Sequence, residues 1–205
     1  MKTYAEEFNE YFEEDYDDWL QKIDLLKNQE QPELEKEIIV TIIGLISSET
    51  RMISNEFFRN KVELYQKRNA DLKKMVLEEL QNAKELFYDK NKEVFQMIVT
   101  ELMNKRSAMS DHCIKFIDCI SEDIDQLHQK LDELFKVNID IDNTISKNNF
   151  YITLFSTILQ VKFSYLKGMD EISKKSEHHC SEIDVEQEKH KKEYQAMLDK
   201  YLNKV

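Results

Sequence analysis

Residues 109–134, MSDHCIKFIDCISEDIDQLHQKLDEL, decide the fold. Met109, Cys113, Phe116/Ile117, Ile120, Ile124, Leu127, Leu131 and Leu134 recur at alternating intervals of three and four, with mostly charged or polar residues between them. That spacing places all of them on one stripe of an α-helix, the seam by which long helices pack on each other. A strand would instead place every second residue on a face.

The stripe continues on both sides. Upstream it passes through Tyr65, Leu72, Val76, Leu80, Ala83, Phe87, Val94, Ile98 and Leu102. Downstream it passes through Met169, Ile172, Ser176, His179, Ile183, Glu186, His190, Tyr194, Met197 and Tyr201. Two segments, 38–46 and 150–166, are apolar all round, as helices buried among several neighbours usually are. No Gly or Pro falls between Leu45 and Lys167, and the 205 residues hold only 2 Gly and 1 Pro. Sheets need tight turns that rely on these residues, and helices do not. The expected fold is therefore all-α, an elongated antiparallel bundle or coiled coil of long helices.

An unbroken helix from 45 to 167 would run roughly 180 Å, so the chain must reverse at softer points. Residues 104–112, NKRSAMSDH, and 137–149, VNIDIDNTISKNN, hold the Asn, Ser and Asp residues that compete with helix, and the second adds β-branched Ile and Thr. Breaks are expected there, with reversals near 107 and 143. Gly168 reads as a helix C-terminus or a kink. Pro32 suits the first turn of a helix, which divides the chain into a segment 1–31 and a bundle 32–205, with a hinge at 28–31.

The formal net charge of −12 is uneven. Residues 1–35 carry 12 acidic and 3 basic residues, a local balance of −9. Aromatic and aliphatic residues at helical spacing face away from that charge, among them Phe8, Phe12, Tyr16, Trp19 and Ile23. Such a helix suits an apolar groove with a basic rim, with Trp19 as the anchor. These five, with the seam residues Ile120, Ile124, Leu127 and Leu131, are the candidate protein-interaction residues. The acidity disfavours nucleic acid, whose affinity comes from neutralising phosphates, and it disfavours anionic lipid.

Little in the sequence points to catalysis. In SEHHCSEIDVEQEKH, residues 176–190, His179 and His190 fall on the stripe while His178 points off it. No set of three or four ligands converges as zinc requires. His112, Cys113 and Cys119 lie on one helix, with Cys119 two turns from His112. Residues 138–149 approach a calcium loop but end in Asn149, without the carboxylate that clamps the ion. With two glycines no phosphate-cradling loop can be assembled. No catalytic residue, metal or cofactor is expected.

The longest apolar run, 38–46, is far short of the roughly 20 residues that span a bilayer. Met1 is followed by Lys2 and an acidic, aromatic stretch, without the apolar core of a signal peptide. Three cysteines without framework spacing point to a reducing interior, cytoplasmic or nuclear. The expected function is non-enzymatic: a structural interaction protein, an adaptor or scaffold in a cytoskeletal or chromosome-associated assembly. It would form homo- or hetero-oligomers with helical protein partners. The alternative is a membrane-curvature-binding dimer of the BAR type, against which the acidic N-terminal helix counts, since interfacial helices carry Lys and Arg.

Overall fold

The computed structural model describes residues 21, 32–139 and 147–202, and the account that follows concerns these. They are 97% helical and contain no strand. Three long helices make up the bundle: α1 (Pro32–Phe87), α2 (Lys92–Asn138) and α3 (Lys147–Leu202). Pro32 opens α1, where its missing N–H is not needed. None of the described helices is long and apolar enough to cross a membrane.

The first reversal lies at Tyr88–Asn91, not within 104–112 as expected. After Phe87 the chain turns through Asn91 N–H to Phe87 O at 2.7 Å. The Asn91 side chain then caps α2, its Oδ1 accepting from Val94 N–H at 3.2 Å. Residues 104–112 run as continuous α2, and side chains of the neighbouring helices meet this stretch. Asn69 donates to Ser110 Oγ at 3.3 Å, Lys105 pairs with Glu193, and His112 meets Glu186 at 3.4 Å. The second break does fall within 137–149: α2 ends at Asn138 and α3 begins at Lys147, while 140–146 lie outside the described residues. The helix expected within 1–31 lies outside them except at residue 21.

The chain divides into two compact units. The first joins the chain up to Phe57 with Glu122–Lys174. Its core is built from Ile39, Ile42 and Ile46 of α1, Ile124, Leu127 and Leu131 of α2, and Leu154, Ile158 and Val161 of α3. Each such side chain contributes about 1.5–3 kcal/mol by leaving water. Arg51 of α1 donates to Asp132 of α2 at 2.9 Å. A polar layer crosses this core, where Ser54 Oγ lies 3.0 Å from Tyr165 Oη and donates to the Thr50 carbonyl at 2.8 Å. Burial pushes the Tyr165 hydroxyl up to about 12, against a smaller opposing effect of the Ser54 hydrogen bond.

Gly168 does not end α3, which continues through it to Leu202. A Cβ there would lie 2.5 Å from Leu127 Cδ1, so the glycine lets α2 and α3 approach closely. The apolar segments 38–46 and 150–166 bury one face rather than all faces. Val40, Leu45 and Phe163 remain exposed opposite Ile42, Ile46 and Tyr165.

The second unit joins Phe58–Ser121 with Lys175–Val205. Its core gathers Leu72, Val76, Ala83 and Phe87 of α1, Ile98 and Leu102 of α2, and Tyr194 and Leu198 of α3. Contacts at Tyr65–Cys180, Arg68–Asp184 and Glu79–His190 rise together along α1 and α3, so these helices run parallel there. Contacts of Asn69 with Ser110 and Tyr65 with Phe116 fall in opposite order, so α2 runs antiparallel to both.

Candidate functional site

The histidine-rich part of α3 lies in the second unit. The three-and-four spacing of Ser176, His179, Ile183, His190 and Tyr194 turns all five inward, where they are buried. His178, one position off that stripe, is 78% exposed and meets only Glu182 of the next turn, at 3.4 Å. Glu186, expected on the stripe, is exposed and reaches His112.

His179 lies in an aromatic layer. Its ring stacks on Phe116 of α2 with centroids 3.7 Å apart and planes 15° from parallel. The His112 ring meets it edge-on at 4.5 Å, and Tyr65 of α1 stands at 6.2 Å. Nδ1 faces Glu182 Oε2 at 3.3 Å, whereas Nε2 is buried without a hydrogen-bond partner. Burial lowers the affinity of this ring for a proton, and His112 beside it acts in the same direction.

Next to the layer, Tyr65 Oη lies 3.5 Å from Cys180 Sγ. Burial, reinforced by that thiol, raises the Tyr65 hydroxyl far above the ordinary phenol value. Burial likewise raises Cys113, keeping it a thiol rather than the nucleophilic thiolate. Arg68 closes the edge, donating to the Cys180 carbonyl at 3.1 Å and to both carboxylate oxygens of Asp184.

Three turns along α3, His190 Nε2 meets Glu79 Oε2 of α1 at 2.9 Å, and both residues are buried. Tyr194 donates to the Glu79 backbone carbonyl at 2.7 Å. A cleft of about 540 Å³ lies on the α2–α3 side, lined by Lys105, Ala108, His112, Glu186, His190 and Glu193. Its charges pair across the walls, Lys105 with Glu193 and His112 with Glu186. No group of three His, Cys, Asp or Glu side chains among the described residues is placed to hold a metal ion. Burial thus keeps both the Cys113 thiol and the His179 ring towards their neutral forms.

Of the sequence-predicted interaction residues, Phe8, Phe12, Tyr16, Trp19 and Ile23 lie outside the described residues. The structure takes Ile120, Ile124, Leu127 and Leu131 into the chain's own core, Ile120 in the second unit and the others in the first. The seam is covered by the same chain that carries it. Glu79 and His128 escape sequence reading, although each adjoins a stripe position, Leu80 and Leu127 respectively. That adjacency was the available signal. No family model, curated protein or solved structure matches the chain.

Proposed function

We infer that the protein is a non-enzymatic helical interaction protein, an adaptor or scaffold that works through protein partners in the cytoplasm or nucleus. The setting that suits it is a larger assembly such as a cytoskeletal or chromosome-associated one. One observation carries the reading. The first unit fills its interior from its own three helices, yet leaves large apolar side chains facing outward: Met52 at 61%, Phe163 at 66% and Val137 at 80% exposure, with Val40 and Leu45. Scattered apolar residues are ordinary on a surface, but Val40, Leu45 and Phe163 fall in the two segments whose sequence is apolar on every face. Those segments have buried one face and kept a second for another helix. The acidic segment 1–31 supplies a further docking element of the helix-in-groove type.

The test is association of the intact chain, measured as molar mass by light scattering over a range of concentration. The wild type is expected to form an oligomer that Leu45→Glu together with Phe163→Glu dissolves, with helix content and thermal midpoint retained. An oligomer indifferent to both changes, or a strict monomer, counts against the reading. Binding to anionic vesicles that salt abolishes would favour the membrane-curvature alternative.

A further inference from the structure

Each unit encloses a histidine in the same predicament. His128 in the first unit and His179 in the second are both buried, and each has its Nε2 in the interior without a hydrogen-bond partner. A neutral imidazole tolerates this with Nε2 as the unprotonated acceptor. A protonated one has two N–H donors and a full charge, so Nε2–H would be an unsatisfied cationic donor in an apolar core.

We propose that His128 and His179 make the bundle acid-responsive, proton uptake at these two rings loosening the helix packing of each unit on mild acidification. The inference is independent of the adaptor reading and concerns the fold itself.

Among the described residues, all three helices contribute groups around each ring. Around His179, α1 contributes the Tyr65 hydroxyl, held neutral, and the Arg68 guanidinium, already engaged with Asp184. From α2 come Phe116, the neutral Cys113 thiol and His112, whose own protonation would add a like charge at 4.5 Å. Its own helix α3 offers Glu182 to Nδ1 and Glu186 more distantly, both solvent-exposed, and Cys180 is engaged with Tyr65. Around His128, α1 contributes the cationic Arg51, α2 the carboxylates Asp125 and Asp132, and α3 the Tyr165 ring at 6.4 Å. Asp132 is already hydrogen-bonded to Arg51.

Burial is the largest influence on both rings and disfavours the charged form; Arg51 adds to it at His128 and His112 at His179. The carboxylates oppose it and do not overcome it. His190 also buries a ring nitrogen without a partner, Nδ1, but differs in that its Nε2 meets Glu79 Oε2 at 2.9 Å.

The sign of the effect follows. A histidine whose folded-state proton affinity is depressed binds its proton first in the unfolded chain, so protons favour unfolding. Stability is intact above the unfolded histidine value of about 6.5 and declines as pH falls through it towards the lower folded value. Carboxylates contribute only further down, near their ordinary values of about 4.

Thermal melts of the full chain between about pH 7.5 and pH 5 read this window directly. The wild-type midpoint is expected to fall on acidification by roughly 3 °C or more per ring. His128→Gln with His179→Gln, neutral throughout, is expected to lose at least half of that fall, while His178→Gln at the exposed neighbour leaves it unchanged. A double variant with the full wild-type fall overturns the proposal. A second measurement needs no variant to fold: the ring-proton NMR titrations of wild-type His128 and His179 should have midpoints below the free value. Midpoints at or above it overturn the proposal equally.

Discussion

Glu79 and His190 form a buried pair whose partners stand 111 residues apart in sequence, and removing one strands the other. Glu79→Leu alone is expected to lower stability by about 1–3 kcal/mol, because it leaves a second unpaired ring nitrogen on His190. His190→Leu alone should cost a comparable amount by isolating a buried carboxylate. The double substitution should cost clearly less than the sum, since apolar residues often replace a buried pair at little loss. Urea unfolding of the four proteins measures the coupling; simple additivity would show that the 2.9 Å contact contributes nothing to stability. At this scale the sequence distinguishes His179 and His190 from His178 by spacing alone. It does not reveal which partner each inward ring meets. Partnership depends on the register between helices, and stripe positions within one helix carry no information about that.

Among elements, the two glycines sit on helices for opposite reasons. Among the described residues nothing lies within 4 Å of where a Gly44 Cβ would project, so Gly44→Ala should stabilise α1 by about 0.5–1 kcal/mol through helix propensity alone. Gly168→Ala would gain the same propensity but meet Leu127 Cδ1 at 2.5 Å, and should fall short of the Gly44 gain. Equal gains on denaturant unfolding would mean that Leu127 turns aside without cost. The elements themselves were largely legible, because a stripe held from Tyr65 to Tyr201 has no strand solution. The first reversal was not. Asn91 followed by Val94 three residues on is a cap signal, but Lys90, Asn91 and Lys92 carry no Gly or Pro to mark the turn. The weak helix formers at 104–112 drew attention to a stretch that α1 and α3 hold in place by side-chain contacts. At Ser110 a tertiary partner, Asn69, supplies the hydrogen bond that the hydroxyl would otherwise seek locally.

For the whole molecule, the charge follows the units. Among the described residues the first unit carries 8 basic and 12 acidic residues, a balance of −4, and the second 17 and 17, a balance of 0. Residues 1–31 add ten acids and three bases. Deleting those residues is expected to leave the helix content and thermal midpoint of the remaining bundle in place. Partner association should weaken, and wild-type association should itself fall with added salt as the carboxylates are screened. A large drop in midpoint would instead assign the segment to the first unit's core.

Neither unit is continuous in sequence: each takes one stretch from the earlier part of the chain and one from α3. During synthesis, then, neither can close early. The hairpin of α1 and α2 can form while the ribosome is still making α3, but the first unit waits for residues up to Lys174 and the second for those beyond it. A chain released by a premature stop near Lys175 would hold every residue of the first unit and lack the third helix of the second. Leu72, Val76, Ile98 and Leu102 would then lose the cover of Tyr194 and Leu198, presenting an open apolar trough to chaperones and proteases.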